Sequence, residues 1–279
     1  MTMDLRSRCS LLRSLHKPGT PLLLPNVWDA ATARAVVSAG FPVVATTSWG
    51  VAAALGYEDH EGAPVDEMFA AAARISRCVD VPVTVDAEAG YGMEPEALVT
   101  ALRDAGAAGC NLEDTLYTPG TPHDHAAGVL RDATRHAEWL RYVRRAAEAI
   151  DYPLVINARV DNFLSPFIAG AEAETQRKLV PEALERSNAY LEAGADCVYP
   201  IALWEPEALL QFMSDVRGPV NVTRVPQVAS LASLVACGAA RVSWALYLYF
   251  SSMTHFEDQL RSLNDRSPRQ APDHQDVST

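Results

Sequence analysis

The chain has 279 residues, 49% of them hydrophobic and 21% charged, and a formal net charge of −12. This acidic balance argues against nucleic acid or an anionic membrane as a partner. No apolar stretch reaches the roughly 18 residues needed to span a bilayer, and basic residues interrupt the N-terminal segment. The five cysteines form no CxxC pair, which is typical of reduced thiols. We therefore expect a cytoplasmic protein.

The chain alternates between short apolar runs and longer helical patterns. Residues 3–16 predict a short amphipathic helix, and eight strand–helix units follow it. The apolar runs have the length and Val/Ile content of strands that are buried on both faces. They cover residues 22–28, 43–48, 81–88, 109–114, 154–161, 197–200, 220–223 and 241–244. The predicted helices cover residues 29–39, 65–78, 95–105, 134–150, 180–193, 205–215, 227–236 and 245–260.

Eight strands that alternate with helices predict a parallel (β/α)₈ TIM barrel of the α/β class. An open doubly wound sheet is the alternative, although no GxGxxG follows the first strand. We expect one barrel domain with its N-terminal helix over residues 1–263. The polar segment 264–279 is expected to be a disordered tail. Longer loops are predicted at 50–64, 115–131 and 162–179, as candidates for lids or substrate contacts.

Polar side chains follow several predicted strands at the point where each strand ends. The carboxyl ends of parallel strands meet at one end of a barrel, where ligands bind. A carboxylate-rich pocket with one arginine indicates a divalent cation that holds a small anionic substrate. The residues expected in this pocket are Asp86, Glu88, Glu113, Asp114, Arg159, Asp161 and Asn221.

Two pairs of carboxylates carry the metal prediction. Asp86 and Glu88 are two apart on a predicted extended segment, so both side chains should point the same way. Glu113 is in phase with Asn111 and is favoured to face the pocket, with Asp114 facing outward. Mg²⁺ suits such oxygen ligands, and Mn²⁺ is an alternative ion. The competing interpretation is a set of solvated loop carboxylates.

The remaining candidates are weaker. Arg159 could grip a substrate carboxylate or phosphonate, or could form a buried ion pair with Asp161 or Glu113. His123 lies in the long fourth loop, where a solvated position is the alternative. Tyr91 and Trp49 could line the pocket or simply pack, and Asn221 could bind substrate or be an ordinary strand-end residue.

Six segments together resemble the isocitrate lyase/phosphoenolpyruvate mutase superfamily. They are PNVWDAATARAVVSAGFPVVATTSWGVAAALGYEDHE, VPVTVDAEAGYG, AGAAGCNLEDT, LVINARVDNFL, AYLEAGADCVYP and VNVT, within residues 22–250. The resemblance implies a (β/α)₈ barrel whose last helix is swapped between subunits of a homodimer or homotetramer. It also implies a principal Mg²⁺ ligand in Asp86, with Glu88 and Glu113 near the ion largely through water.

The resemblance extends to the substrate side of the pocket. Ser48, Trp49 and Gly50 resemble the segment that holds the carboxylate of a 2-oxo acid. Asp59 matches a loop aspartate found near the substrate, and Arg159 matches the arginine that binds the far end of the substrate.

The loop after the fourth strand departs from the family pattern. It reads EDTLYTPGTPHDH, without the cysteine of the lyases and without the lysine and asparagine of the phosphonate enzymes. A thiolate acid–base group is therefore not available from this loop. The general acid stays open among His123, Tyr91 and a metal-bound water.

The part of the mechanism that members of this superfamily share still predicts a reaction type. We expect a Mg²⁺-dependent lyase or decarboxylase that cleaves a C–C bond next to a small 2-oxo acid through a metal-stabilised enolate. A phosphonopyruvate-type mutase or hydrolase acting on a P–C bond is the first alternative. A non-catalytic 2-oxo acid binding protein is the second.

Overall fold

The strands form one parallel set and one short hairpin. In this computed structural model the described residues are 3–117, 129–225 and 230–266. The side chains of residues 265 and 266 are not described. The parallel strands are β1 (Leu22–Leu24), β2 (Asn26–Val27), β3 (Val44–Thr46), β4 (Val83–Asp86), β5 (Gly109–Glu113), β8 (Val155–Val160), β9 (Cys197–Pro200), β10 (Asn221–Thr223) and β11 (Arg241–Ser243). β6 (Thr115–Leu116) and β7 (Val129–Leu130) form an antiparallel pair.

The helices lie between strands, except that α1 precedes β1 and α11 follows β11. They are α1 (Leu5–Ser14), α2 (Ala30–Ser38), α3 (Ser48–Leu55), α4 (Val65–Arg77), α5 (Pro95–Asp104), α6 (Ala133–Ala149), α7 (Leu164–Ile168), α8 (Ala173–Glu192), α9 (Pro206–Asp215), α10 (Leu231–Ala236) and α11 (Tyr247–Arg266). Within the described ranges, no helix is long and apolar enough to cross a membrane.

The parallel strands close into a ring. Their hydrogen-bonded order is β2-β3-β4-β5-β8-β9 in one sheet and β1-β11-β10 in the other. A parallel bridge between Val198 and Val220 joins β9 to β10, and only Pro25 separates β1 from β2. The predicted (β/α)₈ barrel is therefore confirmed, and the open-sheet alternative is wrong.

Asn26 reinforces the closure between the first and last rungs. Its Nδ2 donates to the carbonyl of Thr46 at 2.9 Å, and its Oδ1 accepts from the amide of Trp244 at 2.8 Å. One buried amide thus ties β2 to β3 and to the loop after β11, which satisfies backbone groups that would otherwise be orphaned at the rim.

A second set of polar contacts fixes the opposite end of the barrel. The Asp196 carboxylate accepts from Arg13 at 2.7 Å, from Arg144 at 2.6 Å and from the amide of Ile156 at 2.9 Å. These bonds, two of them charge-assisted, attach α1 and α6 to the first residues of β8 and to Asp196, which directly precedes β9.

Several predicted boundaries needed correction. The predicted loop at 50–64 contains most of α3, and the loop at 162–179 contains α7 and the first turns of α8. α11 continues to Arg266, three residues beyond the predicted end of the barrel domain at residue 263, and the domain bounds themselves stay a prediction. Residues 267–279 lie outside the described residues, and the expected disordered tail stays a prediction.

Candidate active site

A cavity of about 280 Å³ opens at the carboxyl ends of the strands. Five residues predicted from the sequence line it, namely Ser48, Trp49, Asp59, Asp86 and Arg159. The other lining residues are Asn26, Thr47, His60, Asn111, Leu164, Ile168, Tyr199, Ile201, Ser243, Ala245 and Leu246. This is the end at which barrel enzymes carry their active sites.

Asp86 is the last residue of β4, and its carboxylate is held on one side only. The amide of Ser48 donates to Oδ2 at 3.2 Å, and the Asp86 amide donates to Oγ1 of Thr46 at 2.8 Å. Oδ1 is buried and has no hydrogen-bond partner among the described residues. A buried carboxylate oxygen without a partner is costly, so this atom is suited to a cation.

Asp59 stands next to Asp86 in the cavity wall. Its Oδ1 is likewise buried and lacks a partner within the described ranges, and its Oδ2 lies 3.8 Å from Nε2 of His60. Burial and then the charge of Asp86 raise the pKa of Asp59 to about 6. Two carboxylates that line one cavity and interact in this way favour a shared cation or a shared proton.

Glu88 does not share the direction of Asp86, so the extended segment predicted through Glu88 is wrong. β4 ends at Asp86, and Glu88 has a left-handed φ of 47°. Its Oε1 accepts from the Tyr91 hydroxyl at 2.6 Å, and its Oε2 accepts from the amide of Glu61. Burial and then Asp59 raise the pKa of Glu88 to about 8.

The loop after β4 and the loop after α3 are joined by hydrogen bonds that involve Glu88 and Glu61. The amide of Tyr91 donates to Oε1 of Glu61 at 2.6 Å, and the amide of Glu61 donates back to Glu88. Glu61 and Tyr91 also have positive φ, of 59° and 54°. A left-handed backbone conformation at a non-glycine residue costs of order 1–3 kcal/mol. It persists where surrounding contacts hold it, often at functional sites.

Arg159 of β8 lies in a buried charge cluster. Its Nε and Nη2 donate to the two oxygens of Asp161, each at 2.7 Å, and its Nη1 pairs with Glu113. Glu113 also accepts from the hydroxyl of Tyr117. Burial raises the pKa of Glu113 well above its ordinary value. The ion-pair alternative for Arg159 is thus present, while the guanidinium still lines the cavity.

Asp114 faces the helices rather than the cavity. It accepts from the Tyr190 hydroxyl at 2.7 Å and from Arg186 at 3.2 Å, both on α8. Glu113, one residue earlier, contacts Arg159 instead. This is the alternation that a strand imposes on neighbouring side chains.

Three further predicted site residues, Gly50, Tyr91 and Asn221, do not line the cavity. Gly50 packs inside α3, where an added Cβ would lie 2.9 Å from Cβ of Trp28. Tyr91 faces a smaller neighbouring pocket that Asp86 also borders. Asn221 is fully buried and donates to Oγ of Ser243, a lining residue, at 3.0 Å. His123 lies outside the described residues.

Sequence reasoning missed several lining residues. Asn111 and Tyr199 belong to β5 and β9, and a polar side chain within an otherwise apolar strand is a usable signal. Tyr117 lies 2.9 Å from Nδ1 of His60 and also contacts Glu113, which connects the two loops. The apolar residues of α7 carried no sequence signal, because five residues are too few to show a period.

The donor set fits one hard divalent cation. The unpartnered oxygens of Asp59 and Asp86 suit Mg²⁺, which binds through one or two carboxylates and takes its other ligands from water and substrate. Over the described ranges, no group of three or more His, Cys, Asp or Glu side chains is arranged to hold a metal. Direct ligation by Asp86, Glu88 and Glu113 together is therefore not observed. The metal roles of Glu88 and Glu113 stay predictions.

The fold and cavity define a class, the TIM-barrel proteins with an acidic pocket at the carboxyl ends of the strands. Within that class the chain belongs to the phosphoenolpyruvate phosphomutase family, whose model matches residues 12–264. This places it in the isocitrate lyase/phosphoenolpyruvate mutase superfamily, as the sequence segments predicted.

The relatives include both lyases and mutases. The chain is 30% identical to an uncharacterized protein of Mycobacterium tuberculosis, over 92% of this chain and 91% of that protein. It is 29% identical to 2-methylisocitrate lyase of Escherichia coli, over 84% of this chain and 79% of that protein. A Burkholderia cenocepacia structure described as a phosphonomutase is 39% identical, with a TM-score of 0.81, over 91% of this chain and 99% of that one.

Proposed function

We propose that the protein is a Mg²⁺-dependent lyase or decarboxylase that cleaves a C–C bond next to a small 2-oxo acid, with Mn²⁺ as an alternative ion. The observation that carries the proposal is the Asp86 carboxylate. One of its oxygens is fixed by the Ser48 amide, and the other is buried without a partner among the described residues. That arrangement suits a ligand to a metal ion rather than a member of a completed ion pair.

The start of α3 is proposed to hold the substrate carboxylate. The first amides of a helix have no intrahelical acceptor, and the helix dipole favours an anion there. Ser48 and Trp49 begin this helix and line the cavity. Substrate held at the start of α3 would present its 2-oxo oxygen to the cation that Asp59 and Asp86 would hold. Gly50 contributes by letting the helix pack closely on Trp28.

Bond cleavage leaves an electron pair that moves toward the 2-oxo oxygen. Mg²⁺, when bound, supplies positive charge at that oxygen, and such stabilisation is worth several kcal/mol of barrier. Asp59 and Asp86 fix the position where that charge is needed. The Arg159–Glu113 pair is proposed to keep the deeper wall of the cavity rigid and dry.

The proton donor is proposed to come from the loops above the cavity. Tyr91 donates its hydroxyl hydrogen to Glu88, which leaves His123 or a metal-bound water as the better candidates. His123 follows β5 in the loop that replaces the cysteine loop of the lyases.

Phosphonate chemistry is the second candidate function. It is favoured by the 39% identity to the structure described as a phosphonomutase. It is disfavoured by the fourth loop, which contains neither lysine nor asparagine.

A paired assay distinguishes these functions. Purified protein with Mg²⁺ is given oxaloacetate, with pyruvate measured, and phosphonopyruvate, with inorganic phosphate and phosphoenolpyruvate measured. We expect pyruvate formation that exceeds the Mg²⁺-only rate and that chelation abolishes. Turnover of phosphonopyruvate alone would establish the P–C function. Oxalate binding without turnover of any 2-oxo acid would establish a non-catalytic binding protein.

A further inference from the structure

A fully buried arginine lies on the last strand of the barrel. Arg241 is the first residue of β11 and is only 1% exposed. Among the described residues no carboxylate pairs with it, and its Nε and Nη1 are buried without a hydrogen-bond partner. An unpaired guanidinium is costly to bury, so its place in the core argues for a role other than stability.

The guanidinium of Arg241 makes one hydrogen bond within the described ranges, and its acceptor is Asn111. Nη2 of Arg241 donates to Oδ1 of Asn111 at 3.1 Å, and Nδ2 of Asn157 donates to the same oxygen at 2.9 Å. A guanidinium has donors only, so the amide oxygen of Asn111 must face Arg241 and the amide nitrogen must face elsewhere. β8 and β11 thus fix the orientation of this amide.

The amide nitrogen of Asn111 is available to a ligand. Both hydrogen bonds that other described residues make with this side chain end on its oxygen, and Asn111 lines the cavity. β5 pairs with β4 in a register that places Asn111 opposite Asp86. The fixed donor therefore lies on the strand next to the carboxylate that is proposed to hold Mg²⁺.

We infer that Asn111 donates a hydrogen bond to the substrate oxygen that takes up negative charge, and that Arg241 is the residue that positions Asn111. This inference rests on the proposed function, in which that oxygen is the 2-oxo oxygen near Asp86. A donor that already points at the developing charge stabilises it without any rearrangement during the reaction. The buried charge of Arg241 also polarises the amide, which makes its N–H groups stronger donors.

Binding of oxalate, which mimics the enolate of a 2-oxo acid, tests the inference without turnover. Oxalate is titrated calorimetrically into the full-length protein with Mg²⁺. Asn111→Leu keeps a similar side-chain size and removes both N–H groups, so its oxalate affinity should fall about tenfold to hundredfold. Arg241→Met should lose a large part of the same affinity, and Arg241→Lys, which keeps a donor, should recover some of it. Cys197→Ala, another buried change in the barrel strands, should bind oxalate as the wild type does.

The double variant Arg241→Met with Asn111→Leu separates positioning from a merely structural role. If Arg241 acts through Asn111, the double variant should bind oxalate no more weakly than Asn111→Leu alone. It contains no unpaired guanidinium, so it also decides the question, against the wild type, where a single variant does not fold. Losses that add, or wild-type affinity in Asn111→Leu or in the double variant, would overturn the inference and leave the proposed function standing. A wild type that binds no oxalate with Mg²⁺ would overturn both.

Discussion

Two histidines lie inside the protein with ring nitrogens that have no hydrogen-bond partner among the described residues. They are His16, through Nε2, and His136, through both nitrogens. The His136 ring stacks on Trp139, with centroids 5.5 Å apart, and meets the edge of Tyr190 at 4.9 Å. Burial and then Arg131 lower the pKa of His136 to about 3. At this site the ring packs as an aromatic hydrocarbon would.

The lowered pKa makes His136 a source of acid sensitivity. Above pH 6.5 both folded and unfolded chains hold the ring neutral, so the residue has no effect. As the pH falls below 6.5 the unfolded chain binds a proton that the folded chain refuses until about pH 3. The free energy of unfolding should therefore fall by up to about 1.4 kcal/mol per pH unit from this residue.

His136→Phe should remove that contribution. We expect the drop in the free energy of unfolding between pH 7.5 and pH 5, measured by urea denaturation, to be smaller in the variant than in the wild type. His255→Phe, at an exposed position of α11, should leave the drop unchanged. A drop of equal size in His136→Phe and the wild type would contradict the assignment.

The positions of some single residues could be predicted from the sequence, and those of others could not. Asp86 and Arg159 were predicted to meet because each lies at or next to the end of a buried strand, and both line the cavity. Glu88 was misplaced because a left-handed φ at a non-glycine residue leaves no trace in an apolar pattern. Gly90 and Gly92, with φ of 91° and 63°, were the available hint that the chain turns there.

Among the elements, the barrel strands were predictable and the short helices were not. Each strand is a brief apolar run bounded by turn residues, which is a strong local signal. α3 is apolar or small on every side, so it shows no helical period, and α7 has five residues with a proline among them. Packing at the rim of the barrel, rather than local sequence, sets both helices.

α11 leaves an apolar stripe exposed on its second half. Phe256, Leu260 and Leu263, spaced as i, i+4 and i+7, are 55%, 47% and 63% exposed. Its first half is anchored, because Tyr249 meets Trp28 and Phe250 meets Trp49 at centroid distances of 5.1 and 5.5 Å. An exposed apolar stripe is typical of a protein–protein contact, and the expected exchange of the last helix between subunits of a homodimer or homotetramer stays a prediction.

Charges placed on the stripe should dissociate the assembly. Wild-type protein is expected at two or four times the chain mass of 30.2 kDa in light scattering after gel filtration. Phe256→Glu combined with Leu263→Glu should shift the mass toward one chain, whereas Gln259→Glu should not. A monomeric wild type, or a double variant that keeps the wild-type mass, would contradict the proposed role of α11.

At the scale of the whole molecule, the net charge of −12 repels the proposed anionic substrate. Long-range attraction cannot bring such a substrate in, so a local source of positive charge is required. The described cavity presents Asp59 and Asp86 with unpartnered oxygens and an arginine that is already paired. A bound divalent cation would reverse the sign of the field where the 2-oxo acid binds.

Mg²⁺-dependent binding of oxalate tests this central claim most directly. Thermal unfolding is followed while Mg²⁺ and oxalate are added singly and together to the wild type, to Asp86→Ala and to Glu185→Ala, which changes an exposed residue of α8. We predict that oxalate raises the wild-type midpoint by several degrees only when Mg²⁺ is present. Glu185→Ala should show the same rise and Asp86→Ala none. An Asp86→Ala variant that keeps the full Mg²⁺-dependent rise would contradict the account.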